Sequence, residues 1–238
     1  MSAQAAEPGR SWLYRLGGVS GLLLGVGYIV IIPVYVSVGV PPTGGEAWLE
    51  YSAGKTTAWW AILGLSVLTD LLFVPLGLAL YFALRGISRD AMLLATAFVG
   101  LFVALDLAVT WSNYAALITL GDSYAAATTD AERAPYVAAA TYASSVLTST
   151  LEAVYSILTL SLGILIIGFV MLRSTFGNTA AWLGVATGIL GIASVVALLL
   201  VSGVGAIVVI LASTLTTAWV LVVGYRLYRL GGDGAVAR

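Results

Sequence analysis

Three carboxylates, Asp70, Asp106 and Glu152, lie inside long apolar stretches of the sequence, and no basic residue accompanies them there. An ionised carboxylate in hydrocarbon costs at least about 2.5 kcal/mol on insertion scales. Each acid therefore needs a partner that its apolar surroundings do not supply. Three kinds of chemistry meet that need. Protonation turns each acid into a neutral hydrogen-bond donor to a nearby hydroxyl or amide. A bound Na⁺, Ca²⁺ or Mg²⁺ takes carboxylate, hydroxyl and amide oxygens as ligands. A cationic or hydrogen-bonding organic ligand satisfies the acids in an outward-facing pocket, with Trp111, Tyr114 and Tyr155 as aromatic walls.

The neighbours of the acids fit such a site. Asp106, Thr110 and Asn113 recur at spacings of four and three, which is one face of a helix. Thr141, Ser145, Thr148, Ser149, Glu152, Tyr155, Ser156 and Thr159 make a nearly continuous polar stripe at helical period. Ser66 stands one turn before Asp70, and Ser213 with Thr217 forms a shorter stripe. Hydroxyls cannot face lipid unpaired, so these faces are predicted to converge on a bundle interior. The predicted ligand set is Asp70, Asp106 and Glu152, supported by Ser66, Thr110, Asn113, Ser149, Tyr155 and Ser156. No catalytic residue and no cofactor is assigned, and the choice of metal is left open.

The elements that position these residues follow from composition. Apolar residues make up 61% of the 238 positions and charged ones 9%, which is a membrane protein and not a soluble domain. A bilayer core about 30 Å thick needs about 20 apolar residues per helix. Six segments qualify, at about 16–40, 57–84, 91–120, 137–172, 180–201 and 204–227. The predicted fold is all-α, a polytopic six-helix bundle forming one membrane domain. Although Arg10 and Arg15 precede the first run, it is too long for a signal-peptide core and reads as a retained span. Counting helical rise from the nearest arginine puts Asp70 and Asp106 at nearly one depth, with Glu152 a turn or so above them, a column opening outward.

Alternating the spans puts Arg10, Arg15, Arg85, Arg89, Arg173, Arg226, Arg229 and Arg238 on one side, eight of the ten basic residues. The positive-inside rule then predicts both termini in the cytoplasm and an inner-membrane location. Tryptophans and tyrosines near the predicted boundaries read as interfacial anchors. In "TTDAER", Thr129 and Glu132 have capping-box spacing, so the fourth helix is expected to begin above or along the outer surface and to bend at Pro135. Gly17, Gly21 and Gly25, with Gly184 and Gly188 followed by Gly191, form small-residue rows suited to close packing. Those rows serve helices of this chain, a second copy, or a membrane partner subunit.

Several function classes are excluded or disfavoured. Without cysteine or histidine there is no disulfide, thiol nucleophile, imidazole base or ordinary zinc ligation. The single lysine, Lys55, lies in a polar connection, which argues against a Schiff base buried among helices. A net charge of −1 with no basic stripe offers nothing to a nucleic acid. Paired acids can perform general acid/base catalysis. However, the sequence has neither the paired aspartyl motifs of intramembrane proteases nor an aspartate-rich diphosphate motif.

The first span "LGGVSGLLLGVGYIV", the second-span acid followed by "LGLALYFALR" and the segment "TAAWLGVATGILG" resemble a family of six-span bacterial and archaeal membrane proteins, domain of unknown function 4386. The resemblance implies an integral membrane location and the same architecture, and no activity or site. The sequence therefore points to an intramembrane acidic site for a proton, cation or small polar ligand, as in a small transporter or binding protein. The alternatives are an accessory subunit with structurally buried acids and a carboxylate-based intramembrane enzyme.

Overall fold

In the computed structural model, which describes residues 10–174, 176–200 and 205–236, all regular elements among the described residues are helices. They are α1 (Ser11–Val38), α2 (Gly45–Ser52), α3 (Thr56–Leu84), α4 (Arg89–Ala126), α5 (Asp130–Leu147), α6 (Thr150–Met171), α7 (Asn178–Leu200) and α8 (Gly205–Val236). All except α2 and α5 are long and apolar enough to cross a membrane, giving the six-helix membrane bundle expected from the sequence. Each spanning helix packs on the next, α1 on α3, α3 on α4, α4 on α6, α6 on α7 and α7 on α8. Because α8 packs back on α1, the six close into a ring.

Arg15 Nε donates to the Gly231 carbonyl at 3.1 Å, joining the start of α1 to the last turns of α8. Arg10 and Arg85 both stand over the Phe82 ring, so the α3–α4 turn belongs to this same arginine-bearing end. The opposite end carries α2 and α5, which pack on each other and on the last turns of α4. Lys55 and Arg133, the basic residues of this capped end, are held locally. Lys55 Nζ donates to the Val38 carbonyl and Arg133 Nη2 to that of Ala127.

The glycine rows are consumed inside the chain. A Cβ on Gly21 would stand 2.9 Å from the Gly224 Cα, and one on Gly18 would stand 2.4 Å from the Tyr228 nitrogen, so α1 and α8 meet backbone to backbone. Gly17 faces α3 at Ala79. On α7, Gly184, Gly188 and Gly191 press against Gly168, Leu165 and Ser161 of α6. This corrects the expectation that a second copy or a partner subunit could dock through those faces, since neighbouring helices already cover them.

The fourth span also differs from its prediction. It crosses as Thr150–Met171, and residues 130–147 form the separate helix α5. The break falls in a cluster of hydroxyl residues that compete for the backbone. Thr148 Oγ1 donates to the Ser144 carbonyl at 2.8 Å, and Ser149, in extended conformation, accepts from the Glu152 N–H at 3.2 Å to start α6 afresh. Thr141 and Ser145 bond their own backbone on exposed positions of α5, so the upper half of the predicted stripe is not part of the bundle interior.

The capping box that starts α5 is present as predicted. Thr129 Oγ1 accepts from the Glu132 N–H, and Glu132 Oε2 accepts from the N–H groups of Thr128 and Thr129. Those backbone donors hold the Glu132 carboxyl below its usual range. A lowered folded value means that its contribution to the helix start exists above the unfolded value and is lost as pH falls through the folded one. Amide exchange over 130–134, corrected for intrinsic rates, should therefore quicken as pH drops through the low carboxylate range. Thr129→Ala should loosen the same segment at neutral pH, at a cost of about 1 kcal/mol.

Candidate functional site

The centre of the ring is not packed solid. A cavity of about 430 Å³ lies between two apolar cores and is lined by all six spanning helices. Helices α1, α3 and α4 pass through the same three layers. On α3, Phe73 and Leu76 belong to the core nearer the arginine end, Ser66, Thr69 and Asp70 line the chamber, and Trp59 and Ile62 belong to the core at the capped end. On α4 the corresponding sets are Val99 and Val103, then Asp106, Thr110, Trp111 and Tyr114, then Leu117 and Ile118. On α1 they are Leu24, then Tyr28, Ile31 and Tyr35, then Val38.

All three sequence-identified acids line this one chamber. Asp70 is 3% exposed, and its Oδ2 accepts a hydrogen bond from the Trp111 indole N–H at 2.6 Å. Asp106, 5% exposed, faces Asp70 closely enough for their carboxyl groups to interact directly. Its Oδ1 and the neighbouring Thr110 hydroxyl are both buried with no hydrogen-bond partner. Glu152 reaches the chamber from the restarted first turn of α6 and is half-buried. Among the described residues, no lining side chain is basic.

The local geometry of α4 and α6 depends on two π-helical turns, at Asp106–Trp111 and Ala153–Leu158, which touch across the α4–α6 interface. A π turn carries one more residue per turn than an α turn and recurs at functional sites. Here it brings Trp111, five residues after Asp106, onto the face of the acid, where its indole reaches Asp70. Widened turns also disturb the regular backbone ladder, and side chains one turn on take up carbonyls. Asn113 Nδ2 donates to the Val109 carbonyl at 2.8 Å, Ser112 Oγ to that of Ala108 at 2.6 Å, and Thr159 Oγ1 to that of Tyr155.

The predicted set is thus partly assembled. Asp70, Asp106, Glu152, Ser66, Thr110 and Ser156 line the chamber, and Ser156 also donates to the Glu152 carbonyl at 2.8 Å. Asn113 does not line it, because its amide serves its own helix across the π turn. Ser149 is absent from the wall because it caps α6. Tyr155 is buried behind the wall, with no hydrogen-bond partner for its hydroxyl among the described residues, and does not itself line the chamber. Sequence reasoning missed Tyr28 and Tyr35 on α1. Their positions inside a span, away from the interfacial belts where tyrosine ordinarily sits, were the available signal.

Between the acids and the capped end stands an aromatic cluster in which Trp59 stacks on Tyr114 at 5.6 Å and meets Tyr35, Trp48 and Tyr51 at 5.4 to 6.2 Å. Trp111 joins the cluster through Tyr114, with ring centroids 5.5 Å apart, so the roof and the Asp70 hydrogen bond share one set of side chains. Among the described residues, no group of three acids comes together in the manner of a metal centre. The chain matches no family model, no curated protein and no solved structure.

Proposed function

We propose that this chain is a small binding or transport protein of the cytoplasmic membrane, with both termini in the cytoplasm, whose chamber takes up a proton, a cation or a small polar ligand. Asp70 and Asp106 are the primary binding groups and Glu152 an auxiliary one. The observation that carries this reading is the acidic make-up of one cavity, lined by three carboxyl groups and by no basic side chain among the described residues. Two ionised carboxylates in contact repel strongly where the dielectric is low, so the pair takes up either a proton or a positively charged ligand. Arginine clustering at the end that holds both termini supports the orientation. The accessory-subunit reading loses the glycine faces on which it relied.

The test is thermal unfolding of the purified protein across pH and in the presence of added cations. Wild-type protein should shift its midpoint with one or both, because a ligand at about 100 times its Kd adds about 2.7 kcal/mol. Asp70→Asn combined with Asp106→Asn keeps the side-chain shapes and should flatten that response. A double variant with wild-type stability and an undiminished response would exclude the chamber as the binding site.

A further inference from the structure

Resting on the reading above, we infer that the ligand of the chamber is a protonated amine carrying an apolar body, and not a bare inorganic ion. The volume speaks first. A dehydrated hard cation is held by about six to eight oxygens at 2.3–2.6 Å, whereas the chamber measures about 430 Å³, within the range of small-molecule pockets. The acids are not clustered for a metal either, as no three of them converge among the described residues.

The chemistry of the wall supplies the rest. Asp106 Oδ1 and the adjacent Thr110 hydroxyl are buried without a hydrogen-bond partner among the described residues, on side chains 5% and 6% exposed, and both can accept from a ligand. One helical turn apart on α4, they suit an ammonium group that delivers N–H bonds to both. A quaternary ammonium ion lacks those donors and would leave the acceptors unsatisfied, which is costly when they are buried. Beside them stand Trp111 and Tyr114, whose ring faces attract a cation. The wall is also apolar at Ile31, Phe102, Leu160 and Ile164, where a hydrocarbon body would lie. The chamber thus pairs an acidic, aromatic head site with an apolar wall and, among the described residues, has no basic side chain.

The full chain in detergent should be titrated with phenethylammonium and hexylammonium, with the neutral isosteres phenethyl alcohol and hexanol, and with Na⁺ and Ca²⁺, following thermal midpoint and tryptophan emission. At least one amine should raise the midpoint saturably while its alcohol does not. Asp106→Asn should weaken the amine by roughly thirty-fold or more, the loss expected when one partner of a buried charge pair is removed. If that variant does not fold, Thr110→Val, which removes only the hydroxyl acceptor, should weaken it by roughly two- to ten-fold. Equal binding of the alcohols would overturn the inference, as would stabilisation by Na⁺ or Ca²⁺ with no response to amines. That second result would leave the acidic binding site standing. Failure of amines, inorganic cations and pH alike to move the wild-type midpoint would remove both proposals.

Discussion

Gly21→Leu should destabilise the protein by about 3 kcal/mol, the upper part of the usual range for overpacking. A side chain there has no flexible neighbour to push aside. Its Cβ would stand 2.9 Å from the Gly224 Cα and 3.0 Å from the Val220 carbonyl, both backbone atoms of α8. Relief requires α1 and α8 to separate, which opens the ring and with it the chamber. Gly64→Leu is the matched control, because nothing lies within 4 Å of a Cβ at that exposed position of α3. Thermal unfolding in detergent, read by the loss of the monodisperse peak, should show a large drop for the first variant and none for the second.

Trp59→Ala should cost about 3–5 kcal/mol, the range for deleting a buried aromatic side chain. The indole is 1% exposed and lies at the centre of the roof, in ring contact with Tyr35, Trp48, Tyr51 and Tyr114. Its removal has a second consequence that a generic core deletion would lack, since a gap there connects the chamber with the capped end. The chain has no cysteine, so Ser66→Cys places a single thiol on the chamber wall. A water-soluble, membrane-impermeant thiol reagent should label that position slowly in the wild-type background and much faster when Trp59 is also replaced. Equal labelling in the two backgrounds would mean that the aromatic cluster does not seal the chamber.

The layering of the bundle was legible because hydropathy and charge dictate it. Asp70 and Asp106, placed at one depth by counting rise along two antiparallel helices, do face each other. What escaped the sequence reading was register. A π turn adds a residue to a helical turn without any composition signal, so a 3.6-residue period carried past Asp106 assigned Asn113 to the interior and treated Trp111 only as a wall. The break before α6 was more accessible. Ser149 to Glu152 repeats the S-x-x-E spacing that marks the start of α5 at Thr129 and Glu132, and reading it as a second helix start would have separated the surface helix from the span. Small-residue rows mark close packing but do not name the partner, and here the partner of α1 is α8, the helix most distant from it in sequence.

Everything functional proposed for this protein depends on Asp70 and Asp106 meeting inside the ring. The most direct test uses Asp70→Cys with Asp106→Cys as the only two thiols of the full chain in native membranes, treated with a short bifunctional thiosulfonate and digested for mass spectrometry. A crosslink joining the α3 and α4 peptides is expected, with none when Thr119→Cys, on the exposed side of α4, replaces the second site. Absence of the 70–106 crosslink in folded protein, with both thiols labelled after denaturation, would contradict the shared chamber.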